Sequence, residues 1–190
     1  MQSKEEQIRL SIQRRIRSID DSLTFVDEYY SFKYRIYQVE KDNIQYTLKI
    51  FDPEYGVGGY MPLINESKAL EILADVPEYP NLIKKYHNHF DNKIAILKEY
   101  CKGESLEQSG KIITYKPLKK RVANAVQIAH ERGLARLDLM PRNLILNSNE
   151  RDAKILDLGA VLFRTENNKY ADFAAEKTSD FQVLRDFIFS

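Results

Sequence analysis

The sequence predicts an α+β fold in two parts, and three observations carry that expectation. From Leu23 to Phe51 the composition turns aromatic and β-branched, with LTFVDEYY, FKYRIYQVEK and IQYTLKIF as three strand candidates. Tyr115 to Gly133 is the longest helical pattern, with Leu118, Val122, Ala125, Val126 and Ala129 at helical spacing and Gly133 as its stop. Gly133 to Gly159 then reads GLARLDLMPRNLILNSNERDAKILDLG, a hairpin with oxygen-bearing side chains at both mouths.

The totals bound the classes of function. At 190 residues and 43% hydrophobic content, the chain is long enough to bury a core and short enough for one domain, or one domain in two lobes. A net charge of +1 with 30% charged residues points neither to a nucleic-acid groove nor to an acidic membrane surface. The single cysteine, Cys101, excludes an internal disulfide and a cysteine-rich zinc site, and fits a reducing compartment. His87 and His89 would share one face of a strand, but no second cluster completes a metal site, so they read as surface or satisfied histidines. No run of 18 apolar residues occurs and the N-terminus is charged from Lys4 onward, so neither a membrane span nor a signal peptide is expected. The expected location is the cytoplasm.

In chain order, residues 3–20 predict a helix through Ile8, Ile12, Ile16 and Ile19. Acidic residues interrupt its basic face, so a helix packed on the domain is favoured over one lying on a membrane. Lys41-Asp42-Asn43 suits a hairpin turn between the second and third strands. Lys49 alternates with Leu48 and Ile50 and so leaves the face they bury; from the residues alone, a solvated strand lysine is an equal reading. Asp52 to Pro62 is a turn-rich lead-in holding Gly56, Gly58 and Gly59, and Asn65 to Ala74 a short helix with Leu70 and Leu73 on one side. Pro77 and Pro80 end it, and strands follow near Leu82 to Tyr86 and Ala95 to Glu99. Beyond Gly159 a stretch of mixed character precedes a last short helix, Ser179 to Phe189.

The chemistry concentrates in the hairpin. Pro141 helps to fix a turn holding Asp138 and Asn143, an apolar run Leu144-Ile145-Leu146 follows, and a polar turn from Asn147 to Asp152 returns the chain through Ile155-Leu156 to Asp157. Each of these polar residues alone is an ordinary turn former. Together, as oxygen ligands at the ends of apolar strands, they suit a hard cation such as Mg²⁺, which keeps several waters and takes one or two protein ligands plus phosphate.

The stretch resembles the catalytic and metal-binding loops of the protein-kinase-like superfamily, H-R-D-L-x-x-x-N followed by D-F-G. That resemblance implies a kinase-like bilobal fold: an accessory helix at 1–21, a small antiparallel β lobe at 22–100, and a truncated, mostly helical lobe at 101–190. It implies Asp138 as the catalytic aspartate and Asn143 and Asp157 as metal ligands. Lys49, set by Glu66, would hold the nucleotide phosphates, and the backbone of Glu99 and Cys101 would bond adenine, with Gly103 opening the lobe connection. Asp180 resembles the aspartate that supports the catalytic loop from below. The shortened lobe resembles compact bacterial effector kinases and lipopolysaccharide-core kinases.

Several positions depart from the family. VDEYYSFKY contains no glycine where the family has a Gly-rich phosphate loop, leaving Ser31 or Lys33 as side-chain contacts. Lys98 stands where an apolar residue usually lines the back of the pocket, so it either points outward or makes the pocket unusual. Arg136, Leu137 and Met140 replace a His, an Arg and a basic residue; Arg142 or Arg136 could restore the lost charge. The resemblance implies transfer of the γ-phosphate of Mg-ATP to a hydroxyl, of the serine/threonine-protein kinase type. The apolar Leu137 argues against control by phosphorylation after Gly159, leaving a chain that is constitutively competent or activated by a protein partner, and the balanced charge argues against nucleic acid. The alternatives are a pseudokinase that binds without turnover and a kinase of a small-molecule or sugar hydroxyl.

Overall fold

The structure, a computed structural model, describes residues 3–29, 31, 34–51, 60–87, 94–164 and 170–189. Expectations for Lys33, Gly56, Gly58, Gly59 and His89 fall outside the described residues. The chain divides into two compact units, Met1–Leu63 with Leu82–Tyr100, and Ile64–Asn81 with Cys101–Ser190.

The first unit opens with helix α1 (Lys4–Arg17), started by a reciprocal cap in which Ser3 Oγ accepts the Glu6 N–H and the Glu6 carboxylate accepts the Ser3 N–H. Only the second half of its apolar stripe is used: Ile16 is fully buried with Ile12 and Ile19 beside it, while Ile8 is exposed. Gln13 ties the helix to the sheet, donating to the Leu23 carbonyl at 2.9 Å and accepting from the Phe25 N–H at 2.7 Å.

Five antiparallel strands follow in the order β1-β2-β3-β5-β4: β1 (Thr24–Tyr29), β2 (Arg35–Lys41), β3 (Ile44–Phe51), β4 (Leu82–His87) and β5 (Ile94–Glu99). The β2–β3 turn places Asp42 and Asn43 at φ 53° and 61°, a primed turn that Asp and Asn accept more readily than bulkier residues. The central strands β2, β3 and β5 bury residues on both faces, whereas the edge strands β1 and β4 are largely exposed. Leu48 and Ile50 join Tyr37, Val39, Ala95 and Leu97 against Ile16, whereas Ile96 and Phe51 pack with Tyr34 and Leu63 on the opposite face.

Helix α2 (Met61–Ile72) begins four residues before the expected Asn65. Pro62 does not delay it, because a proline in the first turn gives up an N–H that has no partner there anyway.

In the second unit, strand β6 (Glu104–Ser105) leads into the short helix α3 (Leu106–Ser109) and then into helix α4 (Lys116–Glu131). The latter buries Leu118, Val122, Ala125, Val126 and Ala129, and the chain leaves it through Gly133 at φ 81°. Strand β7 (Leu134–Ala135) follows, and strands β8 (Leu144–Leu146) and β9 (Ala153–Ile155) form the expected hairpin, with Leu144 opposite Ile155 and Leu146 opposite Ala153. Strand β10 (Leu162–Phe163) returns to pair with β7. Helix α5 runs over Tyr170–Val183 and widens into a π turn at Leu184–Ile188, so it starts at Tyr170 rather than at the expected Ser179. Its buried residues include Phe173, Asp180, Leu184 and Ile188, and among the described side chains before Asp180 only Phe173 is buried, too little to show a helical period in the sequence.

Asp20, just after α1, fastens the helix to the sheet: Oδ2 accepts from Lys84 Nζ at 3.1 Å and Tyr86 OH at 2.8 Å, and Oδ1 from Ser22. Partial burial alone would raise its pKa, but the hydrogen bonds from Ser22, Tyr86 and Lys84 outweigh that and hold the carboxyl well below the usual carboxylate range. The stabilisation is therefore present above the unfolded-state pKa of about 3.9 and is lost as the pH falls through the lower folded value. Asp20→Asn is expected to cost about 2 kcal/mol at neutral pH, a fall of several degrees in Tm. The gap to the parent should close in strongly acidic buffer; a constant gap across that range would place the loss in packing rather than in the charge.

Candidate functional site

The site is built on strained backbone. Arg136, Asp138 and Asp157 all sit at positive φ, 56°, 48° and 56°, a conformation that non-glycine residues keep only where their surroundings impose it. For the first two, α5 does the imposing. Asp180 Oδ1 accepts the Leu137 N–H at 2.9 Å, and its Oδ2 faces His130 Nε2 at 2.9 Å. Both side chains are buried, and the His130 ring meets Phe181 edge to face at 5.2 Å. One turn before Asp180, Glu176 accepts from Arg136 Nη2 at 2.7 Å. Two carboxylates of one helix thus hold two successive residues of the loop.

Past Leu137 the loop is closed by its own backbone. Met140 N–H reaches the Asp138 carbonyl at 2.7 Å, and Asn143 N–H the Met140 carbonyl at 2.8 Å, through a 3-10 turn at Pro141–Asn143. The Asn143 amide then donates twice, to the Asp138 carbonyl and to Asp138 Oδ2, each at 2.9 Å. Two acceptors on one side settle which end of the amide carries the hydrogens, and Oδ1 faces the other way. Leu156 N–H donates to the Asn143 carbonyl at 2.7 Å, which joins the two mouths of the hairpin and sets Asp157 one residue away. The Asp138 side chain is 31% exposed, with Arg142 Nη2 at 3.8 Å, so its carboxylate is partly open to solvent.

The amide oxygen of Asn143 and the carboxylate of Asp157 are hard donors by their chemistry, of the kind that suits Mg²⁺ better than a softer ion. Of the two arginines that could restore positive charge, Arg136 is drawn toward Glu176 and Arg142 stands beside Asp138.

In the first unit, Lys49 lies between Ile36 and Ile96 in register and is only 2% exposed, its Nζ 4.5 Å from the centre of the Tyr34 ring. The solvated reading of this lysine is thereby excluded. Lys98 is buried as well, on the same sheet face, so it does not point outward. Glu99 and Cys101 are half-buried, and Ser31 Oγ accepts from the Tyr34 N–H at 3.3 Å. Glu66 is fully buried in α2. Asp138, Asn143 and Asp157 come together in the second unit, to which Glu66 and Cys101 also belong, whereas Lys49 and Glu99 belong to the first. His130 is the residue that the sequence reading missed; its one signal is a histidine directly after Ala129 on the buried stripe of α4.

No family model matches the chain. Calcium-dependent protein kinase 27 of Arabidopsis thaliana is 28% identical over 130 residues, covering 61% of this chain and 26% of that protein. Serine/threonine-protein kinase D of Synechocystis sp. is 28% identical over 98 residues, 50% of this chain and 19% of that protein. Serine/threonine-protein kinase ULK3 of Rattus norvegicus is 31% identical over 98 residues, 47% of this chain and 21% of that protein. These similarities support a protein-kinase-like superfamily. The chain spans about a quarter or less of the length of these curated relatives. The α+β architecture, with its antiparallel five-stranded sheet and its largely helical second unit, agrees with the two-lobed kinase-like fold.

Asp180→Ala is expected to cost about 2–4 kcal/mol, because it leaves the Leu137 N–H and the His130 ring buried without their acceptor. Asp180→Asn keeps one acceptor oxygen and should lose less. Thermal melts of the two variants check this, and equal losses would mean that the single acceptor oxygen kept by Asn contributes nothing and that both carboxylate oxygens are required.

Proposed function

We propose that the chain is an ATP-dependent phosphotransferase that moves the γ-phosphate of ATP to a hydroxyl, of the serine/threonine-protein kinase type. The observation that carries this reading is the double hydrogen bond from Asn143 to Asp138, because it orients two groups for two different tasks. In this reading it would fix the Asp138 carboxylate for the acceptor, to align a hydroxyl and take up its proton. It turns Asn143 Oδ1 away from that contact, where with Asp157 it would hold Mg²⁺. When bound, the ion would draw charge from the phosphate oxygens, the main electrostatic requirement of phosphoryl transfer.

Other residues fill supporting roles in this reading. Lys49, with Glu66 as its partner, would hold the α and β phosphates, and the backbone of Glu99 and Cys101 would receive adenine. Arg142 would supply positive charge near the transferring group, standing in for the basic residue that Met140 replaces. The sequence similarity to serine/threonine protein kinases supports a protein hydroxyl over that of a small molecule.

The test is ADP release from Mg·ATP in the parent and two variants. Asp138→Asn should lose about 10²-fold or more in turnover while keeping ATP binding. Asp157→Asn should abolish the rise in Tm that Mg·ATP produces. An Asp138→Asn protein as fast as its parent would remove the residue from the chemistry, and ATP binding without any ADP would identify a pseudokinase.

A further inference from the structure

The second unit carries a groove that the phosphotransferase reading does not use. It has a volume of about 750 Å³ and lies between the first turns of α4 and the turn that joins β8 to β9. Its walls are exposed throughout, so it is an open channel rather than the enclosed pocket that buries most of a small ligand.

The lining is fixed in shape and unbalanced in charge. Arg121 Nη2 donates to the Arg151 carbonyl at 2.6 Å and to Asp152 Oδ1 at 2.8 Å while its Nε stands 3.6 Å from Glu78, so one guanidinium clamps helix to turn and serves two carboxylates. Lys120 and Arg151 then remain on the rim, and neither side chain has an acidic partner among the described residues. Tyr115, 45% exposed, and Pro117 form an apolar end. Tyr115 is also the N-cap of α4 and makes no side-chain cap, so the positive end of the helix dipole opens at the same place. Asn124 and Asn149 add amides suited to the backbone of an extended chain, and Asn149 keeps its NH₂ free because its Oδ1 takes the Arg151 N–H.

We propose that this groove docks an extended acidic segment of a protein partner, its carboxylates on Lys120 and Arg151 and an apolar side chain against Tyr115 and Pro117. Two rim cations beside an arginine shared by Glu78 and Asp152 are too few for a nucleic-acid backbone, whose binding rests on many phosphate contacts. They suit a short acidic peptide, for which a rigid groove and complementary charge set the specificity. The proposal stands independently of whether the chain transfers phosphate.

Fluorescence anisotropy with a labelled short peptide of alternating Glu and Leu tests it directly on the full chain. Saturable binding is expected, weakened by added salt and about tenfold by Lys120→Glu with Arg151→Glu, with the Tm unchanged. Tyr115→Ala should weaken it several-fold through the apolar contact alone. Absence of binding, equal binding by the double variant, or equal binding of a Gln-for-Glu peptide would overturn the proposal. Equally tight binding of a single-stranded RNA of matched charge would also overturn it.

Discussion

One buried carboxylate organises the second unit. Asp180 takes the Leu137 N–H on one oxygen and His130 on the other, each at 2.9 Å, and so joins α5, the end of α4 and the loop after β7. That junction fixes Leu137 between Arg136 and Asp138, two non-glycine residues in the left-handed region, and Glu176 on Arg136 and Asn143 on Asp138 hold the pair from either side. From the position so imposed, Asp138 meets the Asn143 amide, and the backbone bond between Asn143 and Leu156 draws in Asp157. Order passes from a helix stripe to a loop, and from the loop to a hairpin.

The features legible in the sequence are those whose signals are local. The β8–β9 hairpin reads as two apolar runs about a polar turn, the β2–β3 turn as Asp-Asn, and α4 as an uninterrupted apolar period that ends at a glycine. What escaped reading lacks a clear local signal. The first half of α5 is hidden because Phe173 is its one buried side chain among the described residues before Asp180, too little to mark a helical period. The buried Asp180 itself is made tolerable by His130 and Leu137, far away in the chain. His130 is hidden for the reciprocal reason. The start of α2 is obscured by Pro62, which signals a break unless it falls in the first turn.

Lys49 shows where residue pattern and surroundings part company. Alternation correctly takes it off the face of Leu48 and Ile50, but an alternating strand with one solvated face is only one way to place it. Here both faces of β3 are covered, and the lysine lies under Tyr34 with Lys98 buried on the same face.

The central claim is that Asn143 Oδ1 and Asp157 form the protein's share of a divalent-cation site that acts only together with a nucleotide. Calorimetric titration of a non-hydrolysable ATP analogue, with Mg²⁺ and then with a chelator, addresses it without depending on turnover or on a known acceptor. The account predicts binding that is strong with Mg²⁺ and falls steeply in the chelator. Affinity that is the same in both conditions, or no binding in either, would contradict it.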